Sequence, residues 1–273
     1  MNNNAVTFST DYNYINYAQS LIQTLRNHDT IADIYCRCID FTSSQLRDFS
    51  KTNPDINMID DSPGLDNRKT ILKDDTASTF YHYGIGRKNI RDLSSLLYSP
   101  RSVYACHSRF KTIPYLLDND YSCVLTLDVD TVVNRNINCV FDMVDGYDCM
   151  TILTNIKPGE TIRWEGSNQI VNESDTSVRC MFAEGFIVIN NTSSSTKLWN
   201  KVRDEIFMKW ESWNRDSDVI NELINNEFKT LTILDTDSRF KDSECLDTAY
   251  MWSGESITKN NPKFKSIVSK YNQ

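Results

Sequence analysis

The sequence predicts an α/β protein whose central, mainly parallel sheet is flanked by helices, folded as one domain over residues 1–273. Three observations predict this fold. Residues 123–133, C-V-L-T-L-D-V-D-T-V-V, are mostly apolar up to the first acid, as expected of a strand buried on both faces. The chain opens with a strand, a helix and a strand, at the length of one βαβ unit. No repeat, linker or break in composition divides the chain.

The first half of the chain alternates between strand and helix patterns. Predicted strands are 5–8, 31–39 and 56–59, and predicted helices are 14–26, 42–49 and 102–117. Thr42 and Gln45 have the spacing of a capping box at the start of the second helix. The polar segment 60–99 is predicted to be partly loop, with a helix near 90–97. No glycine-rich loop follows the first strand, which argues against a P-loop and a dinucleotide fingerprint.

The second half continues the same alternation. Predicted strands are 149–153, 181–190 and 231–234, and predicted helices are 196–210 and 216–224. Asp216 is the candidate N-cap of the last of these helices. The polar segment 157–178 is predicted to be loop, and 251–270 is a mixed, basic tail.

Composition excludes several classes of protein. The net charge is −8 and the isoelectric point is about 5.0, whereas proteins that follow a nucleic-acid backbone are normally basic. No apolar run approaches the ~18 residues of a membrane span, and the first residues lack the pattern of a signal peptide. The eight cysteines show no zinc-ligand spacing, and Cys123 and Cys149 lie in apolar runs typical of buried thiols. We therefore expect a cytoplasmic protein with no integral membrane segment and no nucleic-acid partner.

Two carboxylates, Asp128 and Asp130, follow the central strand directly. In α/β sheets, ligands bind beyond the carboxyl ends of the strands. Two acids placed there are costly unless positive charge meets them, and a divalent cation carrying a phosphate would supply it. Hard carboxylate oxygens suit Mg²⁺ and Mn²⁺. A plain Asx turn at the strand end is the structural alternative.

The residues around this pair resemble a known family. Residues 109–141, R-F-K-T-I-P-Y-L-L-D-N-D-Y-S-C-V-L-T-L-D-V-D-T-V-V-N-R-N-I-N-C-V-F, resemble the core of glycosyltransferase family 8 and its glycogenin relatives. Two weaker similarities follow in the same order. M-F-A-E-G-F-I-V-I-N at 181–190 resembles the family's Phe-Asn-x-Gly strand, and D-S-D-V-I-N at 216–221 resembles its Asp-Gln-x-x-x-Asn helix start.

This resemblance implies a GT-A fold, a single Rossmann-like domain that transfers a hexose from a nucleoside-diphosphate sugar, most often a UDP-sugar, with retention. The acceptor would be a hydroxyl of a glycan or another molecule. It implies that Asp128 and Asp130 hold Mn²⁺ (or Mg²⁺), that Lys111 or Arg109 faces the donor, and that Asp216 contacts the donor sugar. Residues 1–133 would then form the nucleotide-binding half and 134–273 the half for acceptor and sugar.

Several positions depart from the family pattern. Ser217 stands where the family has Gln, and Ala183 stands where it has Asn, with Glu184 as an unusual neighbour. Met251 stands where a late His completes the metal site, and Lys259 lies two residues beyond the family's Lys. Glu184 is a candidate base for the acceptor, or a hydrogen-bond partner for a sugar. Because neighbouring strand residues face opposite ways, its side chain reaches the site only if the strand bulges.

The assignments from sequence are therefore as follows. The candidate metal ligands are Asp128 and Asp130. The candidate catalytic residues are Glu184, Asp216 and Ser217. The candidate donor-binding residues are Thr7, Ser9, Tyr12, Arg109, Lys111, Asp128, Gly185, Asp218 and Lys259.

Two other functions stay open at this stage. The run D-V-D-T-V-V also fits the first motif of haloacid-dehalogenase-type phosphatases, in which the first Asp is the nucleophile. That motif normally opens its domain, whereas about 120 residues precede it here, as the sequence shows. The departures at Ala183, Ser217 and Met251 also fit a relative that binds sugar nucleotides or glycans without turnover.

Overall fold

The computed structural model describes residues 3–64, 80–81, 97–98, 100–154, 161–164, 167–170, 181–208, 215–236, 238–253 and 256–271. The strands are β1 Asn4–Asp11, β2 Asp33–Ile39, β3 Asn57–Asp60, β4 Phe80–Tyr81, β5 Leu97–Tyr98, β6 Cys123–Leu127, β7 Val132–Val133, β8 Cys149–Thr154, β9 Thr161–Trp164, β10 Ser167–Ile170, β11 Met181–Asn190, β12 Ile233–Asp235 and β13 Met251–Trp252. The helices are α1 Ile15–Asn27, α2 Ser43–Thr52, α3 Pro100–Asp118, α4 Cys139–Met143, α5 Ser193–Met208, α6 Arg215–Asn226, α7 Ser256–Asn260 and α8 Pro262–Lys270.

The central sheet has seven strands in the order β12-β8-β11-β6-β1-β2-β3. Every pairing in it is parallel except those of β11 with β6 and β8. The predicted fold class, a mainly parallel sheet flanked by helices, is confirmed. Strand β6 lies in the middle of the sheet, between β1 and β11, and all five of its residues are buried. The acids that follow β6 therefore lie at the centre of the carboxyl edge.

Helices cover both faces of the sheet. On one face, α3, α5 and α6 pack their apolar stripes against β1, β6 and β11 in one buried cluster, where the rings of Phe110 and Trp199 stack 6.1 Å apart. On the other face, α1, α2 and α4 contribute to a second cluster. Alternate residues of β6 divide between the two clusters, with Val124 in the first and Leu125 in the second. This accounts for the continuous apolar pattern of the strand.

Local signals in the sequence are found at the expected places. Thr42 caps α2, and its reciprocal hydrogen bonds with Gln45 complete the predicted capping box. Cys123 and Cys149 are buried free thiols, as predicted. Asp216 is the second residue of α6, so it lies inside the helix, and the prediction that it is the N-cap is wrong by two residues.

The prediction of a loop at 157–178 is wrong for the residues that the structure describes in this segment. Residues Thr161–Trp164 and Ser167–Ile170 pair as antiparallel strands β9 and β10. The predicted helix near 90–97 falls outside the described residues, except for Leu97, which belongs to β5. The pairing of β11 with β8 shifts register between Phe182 and Ile187, so the strand is irregular around Gly185.

Candidate active site

A short turn joins β6 to β7 and carries the D-x-D pair. The backbone N–H of Thr131 donates to the carbonyl of Asp128 at 3.2 Å, which closes the turn. The N–H of Asp128 donates to the carbonyl of Gly185 at 3.3 Å, which ties the turn to β11. A Cβ added at Gly185 would lie 2.9 Å from Cγ of Asp128 and 2.7 Å from Nζ of Lys241. Only glycine leaves room for the Asp128 carboxylate at this place.

Arg109 links two acids from distant parts of the chain. Its guanidinium pairs with Oδ1 of Asp128, and its Nη2 lies 3.1 Å from Oδ2 of Asp216. The side chains of Arg109 and Asp216 are almost fully buried. Burial favours the neutral form of Asp128, but the charges of Arg109 and Lys241 outweigh it, so the pKa of Asp128 lies below its usual value. Asp128 therefore stays ionised at neutral pH.

Two lysines from the C-terminal part of the chain also face the D-x-D pair. Nζ of Lys259 lies 2.5 Å from Oδ2 of Asp130, and Nζ of Lys241 lies 3.9 Å from Oδ2 of Asp128. Burial and the neighbouring charge of Asp128 raise the pKa of Asp130, even though Lys259 opposes the shift. Burial lowers the pKa of Lys259, and Asp130 more than compensates, so that pKa is raised. The two acids repel each other, and each is paired with a cation from another part of the chain.

Asp216 is enclosed by α3. Besides Arg109, the Nε2 atom of His107 lies 3.9 Å from Oδ1 of Asp216, and Sγ of Cys106 lies 3.8 Å from Oδ2. His107 is fully buried beneath the acid. Asp216 is thus fixed against α3, and Arg109 joins it to Asp128.

The site offers oxygen ligands of the type that Mn²⁺ and Mg²⁺ prefer. Among the described residues there is no cluster of three or more His, Cys, Asp or Glu that could hold a metal ion. Met251, which stands where the family has its late His, is fully buried in β13 opposite Val133. In the part of the chain that the structure describes, Asp128 and Asp130 are thus the carboxylates placed to meet a metal ion, and Arg109, Lys241 and Lys259 contact them. These oxygens fit a divalent cation together with further oxygen ligands, which the described residues do not supply.

Helix α3 separates the two basic candidates. Arg109 points to the D-x-D pair, whereas Nζ of Lys111 lies 3.0 Å from Oδ2 of Asp61 and over the ring of Phe207. The structure thus brings Arg109 to the acids and takes Lys111 to a second ionic cluster, where Arg37 also lies 3.4 Å from Asp61.

The remaining predicted residues are placed as follows. The hydroxyl of Thr7 is fully buried, and that of Ser9 donates to the carbonyl of Ala105 in α3 at 2.5 Å. Tyr12 is exposed and packs edge-on against Phe41. The side chains of Glu184, Ser217 and Asp218 lie outside the described part of the structure. Their predicted roles stay predictions.

Beside these acids and cations the structure places four further residues outside the assigned set: Lys241, His107, Tyr14 and Tyr17. Lys241 follows a short 3₁₀ turn, Ser238–Phe240, in a polar stretch with no periodic signal. His107 lies one helical half-turn from Arg109, and only the packing of α6 reveals that it faces Asp216. Tyr14 and Tyr17 surround the ammonium of Lys259, with Nζ 5.2 and 5.3 Å from their ring centroids.

The sheet order, with two acids after its central strand, is that of a GT-A fold. Residues 5–234 match the family described as Glycosyl transferase family 8, and the chain belongs to that family. No curated protein sequence matches the chain. The family resemblance predicted from residues 109–141 is thereby confirmed, and the membership argues against the phosphatase alternative.

Solved structures with the same fold share little sequence with this chain. The bifunctional glycosyltransferase WbbM has a TM-score of 0.55 at 13% identity, with 100% of this chain and 52% of WbbM covered. The galactosyltransferase LgtC, in complex with donor and acceptor sugar analogs, has a TM-score of 0.54 at 12% identity, covering 97% and 95%. The glycosyltransferase GlyE of Streptococcus pneumoniae has a TM-score of 0.51 at 13% identity, covering 100% and 64%. The chain thus spans less than two thirds of WbbM and GlyE. At these identities the comparisons show the fold alone.

Proposed function

We propose that the protein transfers a hexose from a nucleoside-diphosphate sugar, with a UDP-sugar as the first candidate, to a hydroxyl of a glycan or another acceptor. The observation that carries this proposal is the cluster at the carboxyl edge of the sheet. There Asp128 and Asp130 meet Arg109, Lys241 and Lys259 within 4 Å or less. A cluster of acids and cations beside an open sheet edge suits a diphosphate and its counter-ion.

Asp128 and Asp130 would hold Mn²⁺ or Mg²⁺, and the ion would stabilise the negative charge of the departing diphosphate. In the reaction, the bond between the anomeric carbon and the diphosphate oxygen breaks, and the acceptor oxygen forms the new bond to that carbon. The acceptor proton leaves to a base or to the diphosphate.

Other residues of the chain would position the two acids and stabilise the charge of the diphosphate. Arg109 keeps Asp128 ionised and orients Asp216, because one guanidinium contacts both carboxylates. Asp216 would hydrogen-bond the donor sugar from its fixed place on α6. Lys241 would add positive charge where the diphosphate develops negative charge. Gly185 leaves the space that this arrangement requires.

We propose retention at the anomeric carbon as the family resemblance implies, with Glu184 as the candidate acceptor base and Ser217 and Asp218 lining the donor pocket. The complex of LgtC with donor and acceptor sugar analogs supports a two-substrate site in this fold. A cytoplasmic location stays a prediction. Within the described residues, no helix combines the length and apolar character needed to cross a membrane.

Calorimetry tests the proposal directly. UDP and GDP should bind the intact protein more tightly with Mn²⁺ than with EDTA, and Asp130→Asn should remove that difference together with transfer from the matching sugar nucleotides. Asp145→Asn is the matched control, because Asp145 is an exposed acid in the turn before β8. Equal affinity with and without metal for both nucleotides would contradict the assignment. Tight metal-dependent binding with no transfer to any hydroxyl acceptor would favour the non-catalytic alternative.

A further inference from the structure

Lys259 spans the candidate site from the metal position to two aromatic rings. Its ammonium contacts Oδ2 of Asp130 at 2.5 Å and faces the rings of Tyr14 and Tyr17. The side chain is only 28% exposed and the Asp130 carboxylate only 17%. The ammonium of Lys259 thus pairs with Asp130, which is the more enclosed of the two carboxylates of the D-x-D pair.

We propose that Lys259 is a built-in competitor of the divalent cation, which holds Asp130 until a metal ion displaces its ammonium. The inference rests on the proposed function and deepens it. The ammonium contacts Oδ2 of Asp130, so a metal ion can bind the whole carboxylate only by displacing it. Two cations side by side in an enclosed site also repel each other strongly. Metal entry therefore weakens the Lys259–Asp130 contact, and the ammonium competes with the metal ion for the charge of Asp130.

The backbone around Lys259 is fixed, which confines the displacement to the lysine side chain. The neighbouring Thr258 is fully buried, and its hydroxyl donates to the carbonyl of Ser243 at 2.8 Å. Helix α8 begins at the Asn261 cap, and its Phe264 is buried against Tyr17, with ring centroids 6.4 Å apart. Lysine carries its charge on a flexible four-carbon stem, so the ammonium can leave Asp130 while α7 and α8 stay in place.

The tyrosine pair gives the ammonium a second favourable contact. Cation–π attraction acts within about 6 Å of a ring centroid, and both rings are already inside that distance. Asp130 and both rings thus hold the ammonium at the same time, and the rings do not depend on Asp130 for their attraction to it.

This competition couples metal to nucleotide. Without nucleotide, a metal ion must displace Lys259 and receives only carboxylate ligands in return. With a diphosphate present, the metal gains phosphate oxygens and the ammonium gains a new anion. Metal and nucleotide therefore bind with positive coupling, and linkage requires each to raise the affinity of the other by the same factor.

The test measures Mn²⁺ binding to the intact protein without nucleotide, by electron paramagnetic resonance of free Mn²⁺. Lys259→Met keeps the apolar stem and removes the ammonium, and it should bind Mn²⁺ at least tenfold more tightly than the wild type. Lys263→Met is the matched control, because Lys263 lies on the same segment but pairs with exposed Asp247. Unchanged Mn²⁺ affinity in Lys259→Met would overturn the inference.

A second measurement uses the wild-type protein alone, so it does not depend on how the variant folds. Acylation of lysine amines, read by mass spectrometry, should label Lys259 faster when Mn²⁺ is added, while Lys263 keeps its rate. Slower or unchanged labelling of Lys259 would overturn the inference. Neither readout requires sugar transfer. If nucleotides fail to bind while Lys259→Met still tightens Mn²⁺, the proposed function fails and the competition stands. If UDP-sugars are transferred and Mn²⁺ affinity is unchanged in the variant, only the competition fails.

Discussion

Gly185→Ala should disable the site while leaving the fold intact. The new Cβ would lie 2.9 Å from Cγ of Asp128, whereas non-bonded carbon atoms settle at about 3.5–4.0 Å. The Asp128 carboxylate must therefore retreat by about 0.6–1.1 Å, since that is the difference between the two distances. Lys241, 2.7 Å from the same Cβ, must move as well. A misplacement of about 1 Å in a catalytic arrangement can cost about 100-fold in rate.

The assay compares kcat/KM for sugar-nucleotide hydrolysis or transfer, nucleotide affinity by calorimetry, and the free energy of unfolding in urea. Gly185→Ala should lose about 100-fold in kcat/KM with a small loss of stability. Gly146→Ala is the control with the opposite pattern, because Gly146 has φ +80 and nothing within 4 Å of an added Cβ. It should lose about 1–2 kcal/mol of stability and keep full activity. Normal turnover and nucleotide affinity in Gly185→Ala would refute the reasoning.

Two further changes test the electrostatic structure. Arg109→Lys leaves one ammonium for two carboxylates, so we expect turnover to fall by about 10- to 100-fold. This fall corresponds to a loss of about 1.4–2.8 kcal/mol in transition-state stabilisation. Wild-type kinetics would contradict the bridging role of Arg109. Asp148 accepts hydrogen bonds from the Thr192 hydroxyl and from the N–H and hydroxyl of Thr232; burial raises its pKa, but these bonds lower it below the usual value. The stability it adds is present above the unfolded pKa of about 3.9 and is lost as the pH falls through the lower folded pKa. Asp148→Asn should therefore lower the free energy of unfolding in urea by about 1.5–3 kcal/mol at pH 7 and by less at pH 3. An equal loss at both pH values would contradict a contribution from the negative charge of Asp148.

Much of the fold can be predicted from local sequence patterns. The central strand is continuously apolar because helices cover both faces of the sheet there, and that pattern alone predicts β6 and the acids behind it. The choice between the two cations on α3 is not local, because α3 is buried on most of its sides. The packing of the β6 turn and α6 around α3 brings Arg109 to the acids, and Asp61 meets Lys111.

Other parts of the site had no local signal. Lys241 reaches Asp128 only because β13 and the turn before it fold against the D-x-D turn, and a lysine in a polar stretch reads as a surface residue. The β9–β10 hairpin was predicted as loop because its strands are short and polar, so pairing rather than burial defines them. The sequence also did not indicate that β11 is antiparallel to its neighbours. A strand buried on both faces is continuously apolar whichever way it runs.

The bridge made by Arg109 has a consequence for the order of folding. It joins α3, the turn after β6 and the start of α6, so its contacts span residues 109–216. Closing such long segments is slow, and parallel strands must find each other through equally distant contacts. The first helices and their caps can form early from neighbouring residues. Arg109 contacts both Asp128 and Asp216 only when the β6 turn, α3 and α6 have all docked, so the complete arrangement requires the folded domain rather than any part of the chain on its own.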